Sequence, residues 1–261
     1  MNLRKKIRID ELLLERNLAP DMKLAQAMIL AGEVYCSNRT LDKPGEKISP
    51  DTPVFLKKNP CPFVSWGGMK LNAALEHFSF PLKGKNCLDI GASTGGFTDV
   101  LLKHGANQVT ALDVAYGIIS LKIRNDPRVK VIEKTNFREI PDNFFPEKFD
   151  LIVVDVSFIS LKHIFPKAFL YLKEQGEILA LIKPQFEAPK ALVEPGGIVK
   201  DQEVQKNLIF ELSDFGKING IFLKNLFPLP FFHSQKNLEF FSRWQKDPPE
   251  LSSQEIIEKM V

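Results

Sequence analysis

The sequence predicts an α/β protein whose main sheet is mostly parallel, preceded by a small α+β module. Three observations carry this. From Lys85 onward, strand-length apolar runs alternate with helix-length amphipathic runs, the pattern of βαβ units. The stretch DIGASTGGFTDVLLKHG (89–105) passes from strand to helix through six residues that include three glycines. The first 58 residues read differently, as helix, helix, strand, loop and strand. Two prolines and a Gly-Gly pair mark 59–68 as a linker, leaving 69–261 for the larger domain; a chain of 261 residues accommodates both.

The elements follow in order. In IRIDELLLERN (7–17), Ile9, Leu12 and Leu13 recur at helical spacing, with Asp10 and Glu11 in an early turn. In DMKLAQAMILAG (21–32), Asp21 is the N-cap and Gly32 the stop, with Leu24, Ala27, Met28 and Ala31 turned inward. EVYCSN and TPVFLKK are short strands. Beyond the linker, MKLNAALEHF is a helix. Then come NCLDIG (strand), GFTDVLLKHG (helix), QVTALDVA (strand), IISLKIRND (helix), VKVIEKTN (strand) and FDLIVVDVSF (strand). ISLKHIFPKAFLYLKEQG is a helix and EILALIKPQ a strand. LKNLFPLPF and NLEFFSRWQ form a final pair, antiparallel at the sheet edge because their connection is short.

Composition removes several classes. Three cysteines, Cys36, Cys61 and Cys87, are too scattered for a disulfide framework or a zinc site, and Cys87 reads as a core residue. The four histidines lack metal-ligand spacing. The N-terminus has no signal-like apolar run, and no uncharged stretch of about 18 residues could span a bilayer. The expectation is a cytoplasmic protein without stable membrane association. The net charge of +3 lies wholly in residues 1–58, where 11 Lys/Arg face 8 Asp/Glu. That asymmetry points to a polyanion, against the alternative of a merely solvated basic terminus.

The glycine turn carries the first chemistry. At the carboxyl end of a parallel strand, bare backbone and a helix N-terminus suit a nucleotide-like ligand. Gly91, Gly95 and Gly96 are expected to face it. Asp113, 22 residues after Gly91, ends the next strand, where a carboxylate can accept both hydroxyls of a ribose. The spacing G-x-x-x-G-G differs from the dinucleotide pattern G-x-G-x-x-G and favours S-adenosylmethionine over NAD. Asp89 is then placed to engage the ammonium of the methionine moiety. Asn136, ending the third strand, is positioned either for an adenine ring or for a turn.

The stretches LDIGASTGGFTDVLL, ALDVAYG, IRNDPRVKVIEKTNFR, DLIVVDVSFISL, LALIKPQFEA and PGGIVKD resemble the TlyA/haemolysin A family, which joins an S4 RNA-binding module to an FtsJ-like methyltransferase domain. The match spans nearly the whole catalytic domain; the N-terminal match to the S4 module (1–58) is looser. The resemblance implies a Rossmann-like S-adenosylmethionine-dependent methyltransferase acting on the ribose 2′-oxygen of ribosomal RNA, with ribosomal RNA or ribosomal subunits as partners. It implies cofactor binding by Asp89, Gly91, Ala92, Ser93, Thr94, Gly95, Gly96, Phe97, Asp113, Val114, Asn136 and Asp155. It supplies a catalytic set of Lys70, Asp155, Lys183 and Glu239, with Lys183 as the activating group. The S4-like module would turn Arg4, Lys5, Lys6, Arg8 and Lys23 toward phosphates, giving affinity rather than sequence choice. Three positions depart from the family: Asp21-Met22-Lys23 where Ser-Arg is usual, Ser65-Trp66-Gly67 where S-R-G is common, and HSQKN (233–237) where GPKGN is usual. The competing readings are a membrane-active haemolysin and an inactive RNA-binding protein with a methyltransferase fold.

Overall fold

A computed structural model describes residues 6–16, 18–19, 21–30, 32–36, 39–56, 62–229 and 237–260. The chain forms two compact units, Met1–Pro62 and Phe63–Val261.

The first unit contains β1 (Ile7–Arg8), α1 (Ile9–Glu15), α2 (Met22–Leu30), β2 (Val34–Cys36), β3 (Arg39–Thr40), β4 (Lys47–Ile48) and β5 (Val54–Leu56). β1 pairs with β4, and β2 lies between β3 and β5, all antiparallel. Ile9, Leu12 and Leu13 are buried as their spacing requires. Asp21 caps α2 by accepting the Leu24 N–H at 2.8 Å. The buried row of α2 differs from the expected one. It is Ala25, Met28 and Ile29, while Leu24 is 44% exposed and Ala27 is exposed. The row containing Ile29 offers more apolar area to the core than one relying on Ala27. Ala31 lies outside the described residues.

The second unit contains α3 (Trp66–His77), β6 (Asn86–Ile90), α4 (Gly96–Lys103), β7 (Gln108–Leu112), α5 (Leu121–Arg124), β8 (Val129–Ile132), β9 (Phe149–Val154), α6 (Phe165–Leu170), β10 (Leu172–Ile182), α7 (Pro184–Glu187), α8 (Gln202–Ile218), β11 (Phe222–Pro228), β12 (Phe240–Gln245) and α9 (Ser253–Glu258). Seven strands form one sheet in the order β11-β12-β10-β9-β6-β7-β8. All pairings are parallel except those of β12, which is antiparallel to both β10 and β11. This is the mostly parallel Rossmann-like sheet expected. The strand order reverses between β6 and β9, which fixes the crevice where ligands bind in such sheets.

Strand residues alternate between two core clusters, as a period of two demands. Leu88, Ile90, Ile152, Val154, Ile178 and Ile182 join one cluster. Cys87, Leu151, Val153, Leu179, Leu181 and Phe241 join the other, under α3 and α4. Cys87 is thus the core residue its setting suggested, 1% exposed.

Several predicted elements are shorter or differently placed. The helix expected over 118–126 is the four-residue α5, capped by the Ser120 hydroxyl. The helix expected over 159–176 begins as a 3-10 turn at Leu161–His163, continues as α6 and yields to β10 at Leu172. Pro166 stands at the start of α6, where its missing N–H is tolerated. The third strand, β8, stops at Ile132, four residues before Asn136. Of the expected linker, residues 59–61 lie outside the described residues. Phe63 and Val64 pack into the second unit's core, Val64 N–H donates to Asp99 Oδ2 at 3.0 Å, and Trp66–Gly68 is already the first turn of α3.

Candidate active site at the carboxyl ends of the sheet

Parity along the strands assembles the site. Positions 89, 155, 183 and 239 share the alternation of Cys87, Val153, Leu181 and Phe241, so they belong to the face covered by α3. Asp155 follows the end of β9 and Lys183 the end of β10. Glu239 immediately precedes β12, which starts opposite Ile182. Lys70 comes from α3, whose Leu71, Ala74 and Leu75 anchor that helix in the same core.

The four residues form two ion pairs. Lys183 Nζ lies 2.5 Å from Asp155 Oδ1, and Lys70 Nζ lies 2.5 Å from Glu239 Oε2. Lys183 Nζ also donates to Val156 O at 3.0 Å and to Ser157 Oγ at 3.1 Å, so acceptors surround it. The side chains of both pairs are largely shielded from water, between 11% and 22% exposed. That separates them from the exposed surface pairs whose contribution is small.

The glycines of the turn are closely packed by other parts of the protein. Gly91, at φ +83°, meets Asp155: a Cβ there would overlap the Asp155 carbonyl oxygen. A Cβ on Gly95, at φ +94°, would come within 2.9 Å of Ile123. One on Gly96 would overlap Ser65 Oγ and lie 3.0 Å from the Gly68 amide. Packing alone would therefore exclude side chains at these three positions. Ala92 and Phe97 turn inward too: both are buried, and Phe97 packs on Phe241 with ring centroids 5.7 Å apart. Their side chains are core, leaving only their backbone to meet a ligand. Ser93 is exposed and Thr94 half-buried.

Asp113 follows β7 and braces the turn. Its Oδ2 accepts the Ser93 N–H at 2.7 Å and its Oδ1 the Ala115 N–H at 2.8 Å. A carboxylate has about four acceptor sites, so these two bonds leave capacity for hydroxyls. Val114 beside it is 67% exposed. Asn136 is engaged in a turn: its Nδ2 donates to Glu139 Oε1 at 2.5 Å and its Oδ1 accepts the Arg138 N–H at 3.2 Å. Of the two roles expected for it, the turn is the one present in the fold.

Asp89 is fully buried. Its Oδ2 accepts from Thr98 Oγ1 at 2.6 Å, while Oδ1 has no hydrogen-bond partner among the described residues. Burial pushes its carboxyl up to about 7, against the Thr98 hydrogen bond and with the added repulsion of Asp155. A dry carboxylate oxygen with nothing to accept fits a cationic partner such as the ammonium of S-adenosylmethionine. With the acceptor capacity of Asp113 and the exposed Val114, the residues present fit that cofactor.

Two residues beside the site lie in the family-like stretches DLIVVDVSFISL and LALIKPQFEA without being singled out there. Phe158 is 91% exposed and sits at φ +64°, a rare conformation for an aromatic residue. Glu187, at the end of α7, accepts from Ser160 Oγ and Leu161 N–H. Periodicity reads an aromatic in an apolar run as core and an acid near a helix end as surface; their place in the family-like stretches was the one signal that could have marked them.

In the first unit, Arg8 is committed internally: it donates to Asp10 Oδ1 at 2.9 Å and Oδ2 at 2.7 Å. Asp10 is fully buried, and the Arg8 guanidinium leads the contacts that hold its carboxyl below the usual range. Arg8 is thus held in a pair with Asp10 while its side chain remains 39% exposed. Lys6 and Lys23 are exposed. Arg4 and Lys5 lie outside the described residues, as does 233–236 of the departing loop. No cluster of metal-ligating side chains, and no helix long and apolar enough to cross a membrane, occurs among the described residues.

Comparison with known proteins agrees with this geometry. The FtsJ-like methyltransferase family model matches residues 63–222. The chain is 44% identical over 237 residues to YqxC of Bacillus subtilis (strain 168), named as a candidate rRNA methyltransferase, covering 90% of this chain and 84% of that one. It is 37% identical over 238 residues to the 16S/23S rRNA (cytidine-2′-O)-methyltransferase TlyA of Mycobacterium tuberculosis, covering 91% and 89%. Among solved structures, a candidate hemolysin from Streptococcus thermophilus superposes with a TM-score of 0.73 at 34% identity, covering 97% of this chain and 95% of that one.

Proposed function

The chain belongs to the FtsJ-like methyltransferase family, whose methyl donor is S-adenosylmethionine, and on that premise we propose that it methylates a ribose 2′-hydroxyl of ribosomal RNA. One observation carries this reading: two shielded Lys–carboxylate pairs stand on one face of the sheet, at the end where the glycine turn and Asp89 await a cationic cofactor.

When bound, S-adenosylmethionine supplies an electrophilic methyl group on a sulfonium. The residues of the chain do the rest. A ribose hydroxyl is a weak nucleophile until its proton is loosened. Lys183, oriented by Asp155, Val156 O and Ser157 Oγ, would hold the hydroxyl oxygen and stabilise the negative charge that grows on it as its proton passes to water; the new O–CH3 bond would replace the S–CH3 bond, whose sulfur leaves as a neutral thioether. Lys70 and Glu239, paired across the site, fix the ribose so that its oxygen lies in line with the methyl group. Asp89 takes the ammonium and Asp113 the cofactor ribose; backbone from Gly91 to Phe97, with Val114, lines the remainder. The exposed Phe158 ring offers a stacking surface to an unpaired base, the usual way single-stranded RNA is gripped. Lys6 and Lys23, with Arg4 and Lys5, make the S4-like unit's phosphate contacts. Such a substrate puts the reaction in the cytoplasm.

The test is transfer of labelled methyl from S-adenosylmethionine to ribosomal subunits purified from cells lacking this protein. The expected product is a ribose resistant to alkaline cleavage at one position. Label found only on protein, or none at all, defeats the proposal. Leakage of liposomes at the same concentrations would favour the membrane-active reading instead.

A further inference from the structure

Two segments at the site are fastened to each other at two points. The loop 155–161 leaves β9, and the segment 183–187 leaves β10. At the start of the loop, Lys183 donates to Val156 O and Ser157 Oγ. At its end, Glu187 Oε2 accepts from Ser160 Oγ at 2.6 Å and Oε1 accepts the Leu161 N–H at 2.9 Å. Between the two fastenings the chain arches outward, and Phe158 stands at its crest.

The crest is unfavourable on two counts. Its φ of +64° places a bulky side chain in the left-handed region, and its ring is 91% exposed. A tilted contact with Phe186, centroids 5.1 Å apart, supports it from the opposite segment. Such a conformation persists when its surroundings over-determine it. Glu187 is the member of that frame which the chemistry above leaves unused. It spends both oxygens on the loop, and Ser160 Oγ in turn accepts the Lys162 N–H at 3.1 Å, which starts the following 3-10 turn. Burial raises the Glu187 carboxyl while the bonds from Ser160 and Leu161 oppose the rise, so the group is sheltered and spent on holding the loop.

We propose that Glu187 is a positioning residue for methyl transfer: it pins the far foot of the 155–161 arch, keeping Phe158 presented to the target nucleotide and Val156–Ser157 set against Lys183. The inference rests on the ribose-methylation reading above.

Full-length wild type, Glu187→Ala and Glu187→Gln are compared with S-adenosylmethionine and ribosomal subunits from cells lacking the protein. Cofactor Kd and Tm are measured alongside. Glu187→Ala is expected to lower kcat about tenfold or more, with cofactor Kd within about twofold of wild type. Glu187→Gln, which can still accept from Leu161 and donate to Ser160, is expected to recover most of that kcat. Wild-type kcat in Glu187→Ala overturns the inference, as does a loss of cofactor binding that accounts for the loss of rate. If Glu187→Ala does not fold, Ser160→Ala decides: a kcat lowered about threefold or more at unchanged cofactor Kd supports the role, and an unchanged kcat overturns it. A wild-type protein that methylates no ribosomal RNA defeats the underlying reading instead, so the two failures are distinguishable.

Discussion

At the scale of single residues, two side chains carry the sharpest expectations. Lys183 has acceptors around its Nζ and no role in the hydrophobic core. Lys183→Ala is expected to lower kcat by about 10²–10³, the usual effect of removing one charge-stabilising donor, with cofactor affinity nearly unchanged. Single-turnover methyl transfer and calorimetry measure the two separately. Asp89 predicts a pH dependence. An unfolded aspartate titrates near 3.9, whereas burial holds this one at about 7. Between those values the native state keeps a proton that the unfolded chain has lost. Stability therefore falls as pH rises through this window and levels off above it, by up to roughly 4 kcal/mol from this group. Asp89→Asn is expected to flatten that component in denaturant titrations at pH 5 and 7.5. An arriving ammonium favours the carboxylate, so cofactor binding near pH 6 is expected to release a proton. Calorimetry in buffers of different ionisation enthalpy reads that release directly.

At the scale of elements, the α3–α4 contact governs the glycine turn. A helical Gly→Ala change normally stabilises by about 1 kcal/mol. At Gly96 the sign is expected to reverse, because a methyl group there runs into Ser65 Oγ and the Gly68 amide. Overpacking of this kind costs about 1–3 kcal/mol, which for a unit of this size lowers Tm by a few degrees. A Gly96→Ala variant that melts above wild type would contradict the contact. The same contact explains why the sequence misread the end of the linker. Phe63, Val64 and Ser65 look like connection by composition, but they lie against α4 and its core. The helix expected over 159–176 failed for a related reason. Its C-terminal end is taken by β10, which pairs with β9 at Leu172 and, after a break in register, from Glu177 onward.

For the whole molecule, charge and topology act separately. The excess positive charge of the first unit predicts salt-sensitive RNA association. Lys6→Glu with Lys23→Glu is expected to weaken ribosomal RNA binding and to flatten the plot of log affinity against log salt. Cofactor Kd should not move. Filter binding across salt concentrations tests this, and an unchanged slope would remove these lysines from the interface.

The sequence by itself determined the parallel sheet, the antiparallel last strand and the acid following β7, and its resemblance to a family pointed to the Lys, Asp, Lys and Glu that meet at one end of the sheet. These depend on short-range signals: periodicity, glycine spacing and motif. Tertiary structure alone decided that the carboxylate–lysine partners are 155 with 183 and 70 with 239, and that the glycines of the turn are packed against by other segments. It also raised Phe158 on an arch held by Glu187. Those outcomes depend on which surfaces press together across long stretches of chain, and no local pattern encodes a contact between residues 169 positions apart.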